Sequence, residues 1–108
     1  MSKNLTEYSM ENWGKNVYQD AIDKWGEFGQ YDQMIEEMAE LTVALSKYKR
    51  QFNDSLLPEQ KENIMENLYE ELADVKMMLE EMEYMFGEEN VKKAYDKKMQ
   101  KFFKELYK

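Results

Sequence analysis

Apolar residues recur at steps of three and four along most of this chain, the spacing that lines one face of a helix. Met34, Met38, Leu41, Leu45, Tyr48 and Phe52 form one such seam and predict a helix over Tyr31 to Phe52. Ile64, Leu68, Leu72, Val75, Leu79, Met82 and Phe86 form a second. Its helix opens at Pro58, a residue suited to the first helical turn, and stops at Gly87. Upstream, Leu5, Tyr8, Trp13, Val17, Ala21 and Trp25 predict a helix from Thr6 to Trp25, weakened at Gly14. Downstream, Val91, Tyr95, Met99, Phe102, Phe103 and Leu106 predict the inward face of a fourth, from Glu88 or Glu89 to the C-terminus. The segment Trp25-Gly26-Glu27-Phe28-Gly29-Gln30, with two Gly in four residues, reads as a turn. The pattern predicts an all-α four-helix bundle, one domain spanning residues 1–108.

Composition supports that reading and narrows the chemistry. One Pro and four Gly among 108 residues leave few helix breakers, and a hydrophobic fraction of 43% fills a modest core. So small a domain gains from pairing with copies of itself, and ten Met suit an adaptable core or a soft interface. Met77, Met78, Met82 and Met85, with Leu79 between them, are the expected contact surface. The absence of Cys and His rules out disulfides, thiol chemistry and His-dependent nucleophilic mechanisms. Any metal must be held by oxygen, which favours Mg²⁺ or Mn²⁺. No apolar run approaches membrane-spanning length and the N-terminus carries no leader pattern, so a cytoplasmic protein is expected.

The net charge of −8 is unevenly spread: residues 91–108 carry seven Lys against two acids, or +5, leaving −13 on the first ninety. An acidic body argues against long nucleic acid, whereas the basic tail suits a small polyanion or a solvated helix end.

Carboxylates supply the candidate chemistry. Glu37 and Glu40 lie three apart, one turn above each other, beside Met34 and Leu41; Glu71 and Asp74 repeat the spacing beside Leu68, Leu72 and Val75. Antiparallel packing of the two helices would make both pairs converge. Two carboxylates about 5 Å apart repel by roughly 3 kcal/mol at an effective dielectric near 20, a cost that a bound divalent cation reverses. Trp13 and Trp25 are either core residues or base-stacking platforms, and Gln30 either a surface amide or a reader of a base edge.

Glu36-Glu37-Met38-Ala39-Glu40 followed by Glu71-Leu72-Ala73-Asp74 resembles the EExxE…ExxD signature of the all-α nucleoside triphosphate pyrophosphohydrolases, which include the MazG proteins, the dCTP pyrophosphatases and the dimeric dUTPases. Trp25-Gly26…Gln30 is similar to the segment preceding that signature in small MazG-like proteins, and the resemblance runs from about Trp25 to Phe103. Two features depart from the family pattern. Thirty residues separate Glu40 from Glu71, and Asp96-Lys97-Lys98-Met99-Gln100-Lys101 carries neither the family's late Asn nor its Arg.

The resemblance implies a MazG-like bundle that hydrolyses a (d)NTP to the monophosphate and pyrophosphate. It implies Mg²⁺ held by Glu37, Glu40, Glu71 and Asp74, with Glu36 or Glu37 as the base. Trp25, Gln30 and Met34 would line the base site, and Lys93, Lys97, Lys98 and Lys101 would bind phosphates. It further implies a homodimer or homotetramer. The alternative is a non-enzymatic helical interaction module, or a nucleotide-binding module, retaining the fold.

Overall fold

The computed structural model describes residues 13–53 and 55–108, with side chains from Val17 onward. Within that range the protein is all-helical: α1 (Trp13–Trp25), α2 (Glu27–Arg50), α3 (Pro58–Phe86) and α4 (Glu88–Leu106). The expected helix start at Thr6, the positions Leu5 and Tyr8, and the side chain of Trp13 lie outside the described residues. None of the described helices is long and apolar enough to cross a membrane.

The helices are separated by very little chain. The expected turn over Trp25–Gln30 contracts to Gly26 alone, where φ 81° and ψ 160° break the helix and redirect the chain in a single step. That region is open essentially only to glycine, and a side chain would strain it by about 1–3 kcal/mol. Gly29 is helical instead, and a Cβ on it would sit 3.7 Å from the Trp25 Cβ. Gly87 plays the same part between α3 and α4, with φ 115°. At the start of α3, Pro58 occupies the first turn and the Gln60 side chain accepts a hydrogen bond from the Leu57 N–H at 2.8 Å.

α2 and α3 form the central antiparallel pair, and α1 packs across both. The pairing direction shows in the ring stack of Tyr31 on Phe86, 5.5 Å between centroids, which joins the start of α2 to the end of α3. Two side-chain bonds tie α1 to α3: Tyr18 Oη donates to Glu80 Oε2 at 2.6 Å, and Tyr84 Oη donates to Gln19 Oε1.

The register of the seam corrects the expectation from apolar spacing. Gln30, Met34, Glu37, Leu41, Ala44 and Tyr48 of α2, with Gln51 at its C-cap, form a row of buried and half-buried positions at steps of four and three. On α3 the matching row is Ile64, Leu68, Glu71, Val75, Met78, Met82 and Met85, with Asp74 and Glu81 beside it. Met38 and Leu45 on α2 with Phe52 just past it, and Leu72, Leu79 and Phe86 on α3, are instead exposed, each set at a seven-residue interval. Both helices are therefore apolar on two faces, and the described residues cover only one of those faces.

α4 departs furthest. It touches α3 and neither α1 nor α2, and it buries no residue. Tyr95, Met99, Phe102, Phe103 and Leu106, expected to point inward, are all exposed, and only Val91 is half-buried. With Gly87 redirecting the chain, α4 leads away from the core, and the radius of gyration of 17.8 Å exceeds the roughly 13 Å of a compact domain this long.

Candidate functional site

The seam of the central pair carries charge where a core residue would be expected. Glu37 comes from the inward row of α2, Glu71 and Asp74 from that of α3, and all three are half-buried. One carboxylate oxygen from each lies within 4.8 Å of the others. Gln33, one turn before Glu37, donates its Nε2 to Glu37 Oε1 at 2.7 Å and orients that carboxylate. The remaining oxygen, Glu37 Oε2, is buried with no hydrogen-bond partner, and so is Glu71 Oε2. Among the described residues no ion pair brings a Lys or Arg to these three acids.

Such an arrangement holds protons. Burial raises the Glu37 carboxyl above its ordinary range, and the charges of Asp74 and Glu40 raise it further against the lowering effect of Gln33. Lost hydration and then the charges of Glu71 and Glu36 raise Glu40, which is itself exposed. The unfolded chain therefore ionises first. As pH climbs above about 4.5, the ordinary value, the folded state binds more protons than the unfolded one, and stability falls until the raised values are passed. In metal-free buffer the urea midpoint is expected to drop as pH rises above about 4.5, and Glu37→Gln is expected to flatten that slope. A midpoint that climbs over the same rise in the wild type would contradict the assignment.

The expected site residues divide in two. The structure brings together Glu37, Glu71 and Asp74, with Glu40 one turn along; Glu36 is exposed and stands outside the converging three. Gln30 and Trp25 line a cavity of about 700 Å³ between α1, α2 and α3. Met34, expected beside them, packs in the seam instead, 7% exposed, because it holds an inward heptad position. Lys93, Lys97, Lys98 and Lys101 are all exposed, and their helix has no contact with α2, so one chain does not hold them against the α2 carboxylates. Lys93 and Lys97 line a shallow recess with Ala94, Asp96 and Gln100, all from α4 itself.

Apolar spacing does not reveal the residues that join these features. Gln33 lines the cavity and also bonds Glu37, so cavity and carboxylates adjoin. Glu81, two turns beyond Asp74 on α3, is 3% exposed and forms part of the cavity wall. Its seven-residue interval from Asp74 was the available signal. Comparison with family models, with curated proteins and with solved structures finds no match to this chain.

Proposed function

We propose that the chain is a Mg²⁺-dependent nucleoside triphosphate pyrophosphohydrolase with a MazG-like bundle, working on the cytoplasmic nucleotide pool as a homo-oligomer. The observation carrying this reading is the convergence of Glu37, Glu71 and Asp74 within 4.8 Å, with two buried oxygens lacking any donor, beside a cavity large enough for a small ligand. Oxygen-only donors suit Mg²⁺ or Mn²⁺, with Glu40 completing the set from the next turn. Such an ion, when bound, would neutralise charge on the substrate phosphates and lower the pKa of water.

The residues of the chain supply the remaining functions. Glu37, held by Gln33 and with its proton affinity raised by burial, is placed to take a proton from the attacking water. The water oxygen bonds to the α-phosphorus, the bond to the α–β bridging oxygen breaks, and pyrophosphate leaves. Glu36 is exposed and lacks that positioning, which favours Glu37 of the two candidate bases. The lysines of α4 reach a carboxylate cluster only if α4 packs on a second copy. Charge favours that arrangement, since residues 91–108 carry +5 and the rest of the chain −13.

Pyrophosphate release from a panel of dNTPs and NTPs tests the reading. Release that requires Mg²⁺ or Mn²⁺ and disappears in Glu37→Gln is the expected result. No release from any nucleotide, by a folded oligomer, would leave the exposed apolar face of α4 as the main functional surface and favour an interaction module.

A further inference from the structure

We propose that the cavity between α1, α2 and α3 is a subsite for a nucleobase bearing an exocyclic amino group, and that Glu81 is the residue that reads it. The proposal deepens the nucleotide reading above and rests on it for the identity of the ligand.

Val17, Tyr18 and Ala21 of α1 and Met77 and Met78 of α3 line the cavity, together with Glu81 of α3 and its neighbour Gln30 of α2. Among the described residues no Lys or Arg lines it. Glu81 and Gln30 are 3% and 6% exposed, so a carboxyl group and an amide have been taken almost wholly out of water. With the Gln30 amide turned to satisfy both groups, its nitrogen donates to Glu81 Oε2 at 2.6 Å and Oε1 at 2.9 Å. A single nitrogen shared between both oxygens occupies one lone pair on each and leaves the other free. A buried carboxylate without a cation is costly, and its unused lone pairs ask for donors. Val17, Ala21, Met77 and Met78 provide none, and the donors of Tyr18 and Gln33 are directed to Glu80 and Glu37.

A ligand that fits must therefore be flat and largely apolar, with an N–H at its edge. Cytosine, adenine and guanine carry an exocyclic amine, whereas uracil and thymine present a carbonyl oxygen at O4 that would face the Glu81 oxygens lone pair to lone pair. Trp25, at the cavity's edge and 61% exposed, offers a ring face for stacking. Gln33 sets the direction of the bound nucleotide, because it belongs both to the cavity wall and to the Glu37 carboxylate, placing the base in the cavity and the phosphates toward the acids.

Nucleosides test this without metal, phosphate or turnover. Titrations of deoxycytidine against deoxyuridine, and deoxyadenosine against deoxyinosine, compare an amine with a carbonyl at one ring position. Methionine-methyl NMR signals of Met77 and Met78 report whether the cavity is the site. The amino nucleosides are expected to bind at least about tenfold more tightly than their keto partners and to shift both signals, and Glu81→Gln to abolish the preference. If Glu81→Gln does not fold, the wild-type pairs still decide. Equal affinities within each pair, binding that leaves Met77 and Met78 unmoved, or no nucleoside binding would each overturn the proposal. Pyrophosphate release would survive any of those results, and its absence would leave amino-selective nucleoside binding intact, so the two readings fail separately.

Discussion

Asp74→Asn should make the metal-free protein harder to unfold and, on the proposed function, abolish pyrophosphate release. Three carboxylates within 4.8 Å, with no Lys or Arg paired to them among the described residues, strain the seam of the central helix pair. At an effective dielectric near 20 a pair at that distance repels by about 3 kcal/mol, and solvent reaching half-buried groups cuts this to about 1–2 kcal/mol. Removing one charge relieves two such pairs, and the amide can donate to an oxygen that now lacks a donor, such as Glu37 Oε2. The metal-free melting temperature should rise by several degrees for a chain of this size. Mg²⁺ should stabilise the wild type in proportion to its occupancy and leave Asp74→Asn nearly unmoved. Turnover should fall by about 10³-fold, the scale on which a preorganised charge in an active site acts. Calorimetric melts with and without Mg²⁺, alongside pyrophosphate release, measure all three. A variant that melts below the wild type without metal and still responds to Mg²⁺ would show the three acids to be an ordinary polar seam.

That seam also shows where reading the sequence stops. The number of helices, their order and the breaks at Gly87 and Pro58 follow from apolar spacing and two residue types, because each is a local property of the chain. The inward face does not follow so simply. Met34, Met38, Leu41 and Leu45 make a good apolar row, yet the packed row takes Glu37 and Ala44 in place of Met38 and Leu45. A helix apolar on two sides offers two candidate cores, and hydrophobicity alone chooses the one without carboxylates. The acidic spacing Glu37…Glu40 and Glu71…Asp74 was legible as a cluster, while its place inside the seam was not. Glu81 and Gln30 escaped as a pair because they lie 51 positions apart and meet only through packing of α2 on α3. On α4 the apolar row was read correctly as a row and assigned the wrong cover, since among the described residues neither α1 nor α2 reaches it.

On the proposed homo-oligomer a second copy covers that row, and disrupting it should cost both assembly and turnover. Tyr95, Met99, Phe102, Phe103 and Leu106 are between 46% and 62% exposed along one helix. At about 100 Å² each, their burial removes on the order of 500 Å² per copy, and the symmetric pair about 1,000 Å², near the lower bound for a specific interface. Met38, Leu45, Leu72 and Leu79 supply further apolar area on the central pair, and the +5 of residues 91–108 is drawn to the acidic body of a partner. Sedimentation at micromolar concentration should therefore find a dimer or larger, weakened by salt as that attraction is screened. Phe102→Asp places a charge in the middle of the row and should yield monomers, with a melting temperature that no longer depends on protein concentration. If the lysines of α4 act on the partner's site, the same variant should lose pyrophosphate release although Glu37, Glu71 and Asp74 are untouched. A wild-type monomer, or a monomeric Phe102→Asp with full turnover, would detach α4 from the site and leave its apolar row to a partner of another kind.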